Sequence, residues 1–274
     1  MLSFGFGQLF KWAQRRGCHG PTVVAANYLC IAAALGVWLG VRGEGFPTGR
    51  ALELGALTGV FFITAMLVFT QALCEASIGA VLTAFRVSIL LPIVLGLWLW
   101  NEQVTRTEAA GVALSLVGLV LMTAGTREGV PERAGTLSTF ALVFLVFFSQ
   151  SLSHVGISSV HHLDLDGQML EVLFAITLTA GVLGAAAIAY KRHKPTRAEI
   201  TVGALIGLYN LVNLVTILLA LSTVPRTIYF PVSGCSVVLL DNLCAHFYWK
   251  ERLSMSALAG ALLSAVAMLL VFVR

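Results

Sequence analysis

Charge is what this chain has least of. Of 274 residues, 11% are Asp, Glu, Lys or Arg and 58% are hydrophobic, with a mean hydropathy of +0.91. A soluble domain usually carries about 25% charged residues. No soluble fold hides this much apolar surface, so the solvent is lipid. Lipid leaves backbone N–H and C=O groups unsatisfied, which restricts the spanning elements to helices or a closed barrel. Alternation at period two is also missing, which excludes the barrel. A Walker A motif is absent, so this chain alone is not an ATP-driven pump. The five cysteines are odd in number and form no CxxC pair, which argues for small packing residues over a disulfide framework or metal site. The apolar run Met1–Phe10 has neither a basic n-region nor a clear cleavage site, so no cleavable signal is expected.

What is present is a series of apolar segments, at 22–40, 51–73, 77–100, 107–124, 138–155, 168–190, 200–222, 226–249 and 255–273. Each is long enough for a helix across about 30 Å of hydrocarbon at 1.5 Å per residue; residues 1–10 are too few. The connectors are short and hold most of the charge, leaving no soluble domain and no nucleic-acid surface.

A shift of 149 residues lays the second half on the first without gaps. Trp100-Asn101-Glu102 falls on Trp249-Lys250-Glu251, Gly111 on Gly260 and Ser115 on Ser264. Residue 1 falls on Gln150, well inside a segment, so the first helix lacks about a dozen residues relative to its counterpart. The expected fold is an all-α membrane protein: a ten-helix bundle of two five-helix repeats, with nine full spans plus a stub. The first repeat covers 1–125, the linker 126–136 and the second repeat 137–274. An odd number of helices per copy inverts the second repeat, and inverted repeats place substrate sites near the membrane midplane.

Counting spans one to ten with the stub, eleven of the basic residues fall on one side: Lys11, Arg15, Arg16, Arg127, Arg133, Lys191, Arg192, Lys194, Arg197, Lys250 and Arg252. The other side holds Arg42, Arg50, Arg106, Arg226 and Arg274, and Arg86 is intramembrane. The positive-inside rule puts the richer side in the cytoplasm and both termini outside.

The run from Ala76 through Pro92, with Leu99-Trp-Asn-Glu102 and Gly111 after it, resembles the EamA-type signature of the drug/metabolite transporter superfamily. The second copy repeats it as Tyr229-Phe-Pro-Val, Trp249-Lys-Glu251 and Gly260, with Asp241 where Pro92 would recur. Lys11 to Asn27-Tyr28 also looks like the end of that family's first helix and the start of its second. The resemblance implies a ten-helix inverted-repeat secondary transporter of small metabolites or drugs, often moving them outward. It also implies both termini in the cytoplasm, against the charge count.

Charged side chains deep in lipid are a functional hypothesis by default. Arg86 lies nine residues into span four and Asp241 eight residues from the end of span nine, so inversion puts each about 12–14 Å below the same face. One reading makes Asp241 a proton or cation site modulated by Arg86; the other makes the two a structural salt bridge. Tyr209, Asn210 and Asn213 sit in mid-span eight, and Gln150 and His154 share a face of span six. They suit either a polar cavity lining or interhelical hydrogen bonds. Gln71 and Asn242 are weaker candidates. Glu102 and Glu251 read as helix ends, and Gly55/Gly59 and Gly203/Gly207 as GxxxG packing surfaces. His161-His-Leu-Asp-Leu-Asp166 offers an imidazole and carboxylates, as acid–base or metal chemistry would need, but in a short polar connector.

The expected function is secondary transport by alternating access in a bacterial inner membrane, with proton-coupled export as one form it could take. The partners expected are a small-molecule substrate, the bilayer, a proton or cation, and a second copy in a homodimer. No cofactor, metal or catalytic residue is expected. The alternatives are an intramembrane enzyme built on His161 and Asp166, and a transport-inactive truncated homologue.

Overall fold

The computed structural model describes residues 2–43, 45–75, 78–99, 105–124, 137–247 and 255–272. Among these there are helices and turns and no strand. The α-helices are α1 Leu2–Arg15, α2 Gly20–Arg42, α3 Gly49–Glu75, α4 Ile78–Val87, α5 Leu90–Trp98, α6 Arg106–Ala124, α7 Leu137–His162, α8 Met169–Tyr190, α9 Arg197–Thr223, α10 Arg226–Phe247 and α11 Met255–Phe272. Among the described residues five stretches are long and apolar enough to cross a membrane: Gly20–Arg42, Gly49–Ala72, Ala141–His162, Asp166–Tyr190 and Arg197–Thr223. Shorter apolar helices cover Ala84–Trp98, Ala109–Gly118, Arg226–Leu240 and Leu258–Ala267. The chain is therefore an all-helical membrane protein.

Its helices gather into two compact units that do not follow the two sequence copies. One holds 71–154 and 223–274; the other holds 2–70 and 155–222. Each unit takes helices from both copies. The expected linker 126–136 lies outside the described residues.

In the second unit α2 packs on α8, its image at a shift of 149. A Cβ on Gly184 would meet Ala25, one on Gly181 would meet Leu29, and one on Gly36 would meet Phe174. Numbers rise along α2 as they fall along α8, so the two helices are antiparallel. Ala25 and Phe174 are themselves 149 apart, and Gly184 lies 148 from Gly36. The contacts at the two ends are thus one contact with its sides exchanged.

The GxxxG surfaces repeat this relation. Gly55 and Gly59 of α3 sit on Val172, Ala175, Ile176 and Thr179 of α8. Gly203 and Gly207 of α9 sit on Val23, Ala26, Asn27 and Cys30 of α2. The four α2 positions are the four α8 positions less 149. The glycines, however, are 148 apart. Burial agrees: Ala51, Gly55, Thr58, Gly59 and Ala65 match Glu199, Gly203, Ile206, Gly207 and Asn213 at 148. The ungapped 149-residue register expected from sequence therefore slips by one in α3 and α9. At 23 residues α2 is one longer than the 22-residue α8, which takes up the slip. Alignment on hydropathy missed it because one residue scarcely changes a run that is apolar throughout.

In the first unit α6 packs on α11, again its image at 149. The buried positions are Gly111, Ser115 and Gly118 on one helix and Gly260, Ser264 and Ala267 on the other. Gly118 lets the Gly260 carbonyl and Ser264 approach. Cys235 of α10 donates its S–H to the Ser115 carbonyl at 3.3 Å, which ties α10 to α6.

Three helix bounds differ from the sequence expectation. Span four breaks at Ser88–Ile89 into α4 and α5. Pro92 has no N–H to give the Ser88 carbonyl four residues back, which favours a break just before it. That carbonyl is satisfied instead by the Ser151 hydroxyl at 3.0 Å. Helix α7 runs on to His162, past the expected end at 155. Ser158 and Ser159 lower the hydropathy there, but both hydroxyls bond back to the Val155 carbonyl within the helix. The N-terminal stub is a 14-residue helix, about 21 Å long and still short of a full span. Its Phe6, Leu9, Phe10 and Ala13 pack with Val23 and Ile206.

Helix α9 opens on a capping box. Glu199 Oε2 accepts from the Thr196 N–H at 2.8 Å, and the Thr196 hydroxyl accepts from the Glu199 N–H at 3.3 Å. The other oxygen, Oε1, accepts from the His19 N–H at 2.9 Å. His19 is the N-cap of α2. One carboxylate thus serves the starts of two helices.

Candidate functional site

The sequence-predicted residues fall into a group in each unit. In the second unit they join a buried chain of hydrogen bonds. Asn210 donates its side-chain amide to Asn27 Oδ1 at 3.3 Å, and Asn213 donates to Asn210 Oδ1 at 3.3 Å. Ser3 donates its hydroxyl to Asn213 Oδ1 at 2.9 Å. Tyr209 donates to the Leu2 carbonyl at 3.1 Å, and its ring fills the space left by the missing side chain of Gly5. Asn27, Asn210 and Asn213 are only 1%, 4% and 5% exposed, so these bonds replace water altogether. The chain links α1, α2 and α9. Asn27 was not singled out as a site residue from the sequence. The available signal was its image at 149, Ile176: a polar residue where the other copy is apolar.

In the first unit Gln150 Nε2 lies 3.2 Å from His154 Nε2 on α7, one turn apart. The His154 ring meets Phe230 of α10 edge-on, with centroids 5.2 Å apart. Arg86 of α4 is close enough for its charge to act on the His154 ring, and its guanidinium lies 5.8 Å from the centre of the Phe85 ring. An imidazole, an amide, a guanidinium and an aromatic face thus come together from α4, α7 and α10. Such a set can hold an anion or a polar neutral group. Asp241 belongs to α10, but its side chain and that of Asn242 lie outside the described residues, as do Glu102 and Glu251.

His161 Nδ1 and Asp166 Oδ2 are 2.6 Å apart at the end of α7, with side chains 45% and 38% exposed. Asp166 also borders a cleft of about 340 Å³ in the second unit, with Arg42, Glu171, Leu170, Val215 and Leu218. Neither Arg42 nor this cleft was legible in the sequence, because the cleft joins the end of α2, the start of α8 and the late turns of α9. Among the described residues no three His, Cys, Asp or Glu side chains gather as metal ligands.

No family model matches the sequence, and no curated protein does. The fold does match solved structures. One crystal structure of a protein aligns over 99% of this chain and 98% of its own, with a TM-score of 0.75 at 15% identity. At that identity the likeness shows the fold alone.

Proposed function

We propose that this chain is a secondary transporter that moves small metabolites or drugs across a bacterial inner membrane by alternating access between two inverted repeats, as the EamA-type resemblance implies. The observation that carries this reading is the exchanged contact between α2 and α8. Two images of one helix meet antiparallel, and each also supports the GxxxG surface of a helix from the other copy. Inverted repeats of this kind provide two interchangeable packings of similar energy, which alternating access requires. Polar groups inside an otherwise apolar bundle support the reading further, since intramembrane polar residues mark substrate and ion routes. In this proposal the substrate-binding candidates are Arg86, Gln150 and His154 within one unit and, as a separate group, Tyr209, Asn210 and Asn213 within the other, while Asp241 carries the coupling proton or cation.

The test is solute uptake into proteoliposomes across metabolite classes, with and without a pH gradient. A transporter gives saturable uptake of at least one class. Asp241→Asn then abolishes the response to the gradient. Uptake of none, or an unchanged response in Asp241→Asn, refutes the transport reading or the coupling role respectively.

One observation favours a rival. The His161–Asp166 contact has the form of an acid–base pair, and it borders a cleft. On that reading the chain is a membrane-bound hydrolase. His161→Ala with Asp166→Ala abolishes such an enzyme and leaves solute uptake unchanged.

A further inference from the structure

Where α1 turns into α2 and α8 turns into α9, three titratable side chains converge within one unit. The His19 and His193 rings stack with centroids 4.1 Å apart and planes 31° apart. His193 Nε2 lies 3.5 Å from Glu199 Oε2. The Glu199 side chain is 7% exposed, and its two oxygens hold the His19 and Thr196 amides. His19 Nδ1 is 2.8 Å from the Thr22 hydroxyl on its own helix. From the neighbouring elements, Glu199 of α9 and His193 and Lys191 of the α8–α9 turn act on His19 electrostatically.

This arrangement accommodates one positive charge well and two badly. A proton on His193 lies beside the Glu199 carboxylate. A second, on His19, would face His193 across the stack with Lys191 nearby. It would also sit at the N-terminus of α2, where the helix dipole disfavours a cation. His19 also carries the backbone N–H that Glu199 Oε1 accepts, so the ring charge and the main-chain bond meet at one carboxylate, while the Thr22 hydroxyl holds the ring at 2.8 Å.

We propose that His19 and His193 form a proton-binding junction over Glu199, which tolerates one positive charge in its closed form and frees the α1–α2 turn from the head of α9 when both rings are charged. The proton moves from solvent to an imidazole nitrogen, and no other bond is made or broken except the hydrogen bond from the His19 amide to Glu199. This inference is independent of the transport reading: it predicts a local opening in the chain whether or not any solute is carried.

The test is hydrogen exchange by mass spectrometry on the full chain in lipid nanodiscs, at pH 7.5 and 5.5, corrected for intrinsic exchange rates. The peptide containing the His19 amide is expected to lose protection several-fold at the lower pH in the wild type, while the Thr196 amide, held by Glu199 Oε2, keeps its own. Peptides from mid-α9 stay protected and report an intact fold. In His193→Asn and His19→Asn the loss on acidification disappears, and in Glu199→Gln the protection of both amides is reduced at both pH values. Equal protection at the two pH values in the wild type overturns the proposal, as does an acid loss that persists in both histidine variants. Should the variants fail to fold, carbon-13 NMR of His19 in the wild type decides: protonation of His19 over the same pH range in which its amide loses protection supports the junction, and protonation with no change in that amide overturns it.

Discussion

The Ser151 hydroxyl donates to the Ser88 main-chain carbonyl at 3.0 Å, across 63 residues of sequence. Ser151 and Ser88 are both fully buried. The carbonyl needs this donor because Pro92 cannot supply one. Ser151→Ala should therefore leave a buried acceptor unsatisfied and cost about 1–3 kcal/mol. Pro92→Ala restores a backbone N–H at the fourth residue along, so the double variant should lose less than the sum of the singles. Thermal melts of the four proteins in detergent measure the coupling; strictly additive losses would show that the two sites are unrelated.

The GxxxG surfaces offer a matched pair of tests. A Cβ on Gly55 would collide with Ala175 and one on Gly203 with Ala26, and these neighbours are images of each other. Gly55→Ala and Gly203→Ala should each cost about 1–3 kcal/mol by overpacking, and by similar amounts. Gly7→Ala meets nothing within 4 Å and should leave the melting temperature unchanged or raise it slightly. A large loss in only one of the first two variants would break the equivalence of the surfaces.

The asparagine chain separates a structural from a binding role. Removing one partner, as in Asn27→Leu, strands a buried amide and should cost about 1 kcal/mol, a scale common to polar contacts in membrane bundles. If Asn210 also binds substrate, Asn210→Ala raises the KM for uptake beyond whatever Asn27→Ala does. Equal effects on KM assign the chain to packing alone.

Stability should fall with acid through His19. Burial first, and then the neighbouring His193, hold its pKa below the ordinary 6.5. The unfolded chain therefore binds the proton more readily than the folded one. This contribution to stability is present above pH 6.5 and is lost as pH falls below it. Melting temperature measured from pH 8 downward should drop through that range, and His19→Asn should flatten the drop.

Hydropathy disclosed the helical character of the chain and the course of most of its helices, since each rests on runs of many residues, but not which helices pack together. Hydropathy and the self-comparison erred where a single residue decides. A proline at 92 broke a span that is apolar on both sides, serines at 158 and 159 disguised a continuing helix, and an extra residue in α2 shifted the glycine register. The site was legible in part. Asn210 and Asn213 announced themselves as polar residues in apolar runs, but Asn27, Ser3 and Arg42 acquire their roles from residues far along the chain, and spacing cannot report that.

The exchange between α2 and α8 has a further meaning. A contact whose two sides trade places is isologous: one surface is used twice. A half-length chain bearing α2 would already carry everything this contact needs and could meet a copy of itself through it. Fusing two such halves would add no new complementarity; it would fix the stoichiometry at one to one. Each half would then be free to differ alone: Asn27 faces Asn210, while the residue 149 further along is Ile176.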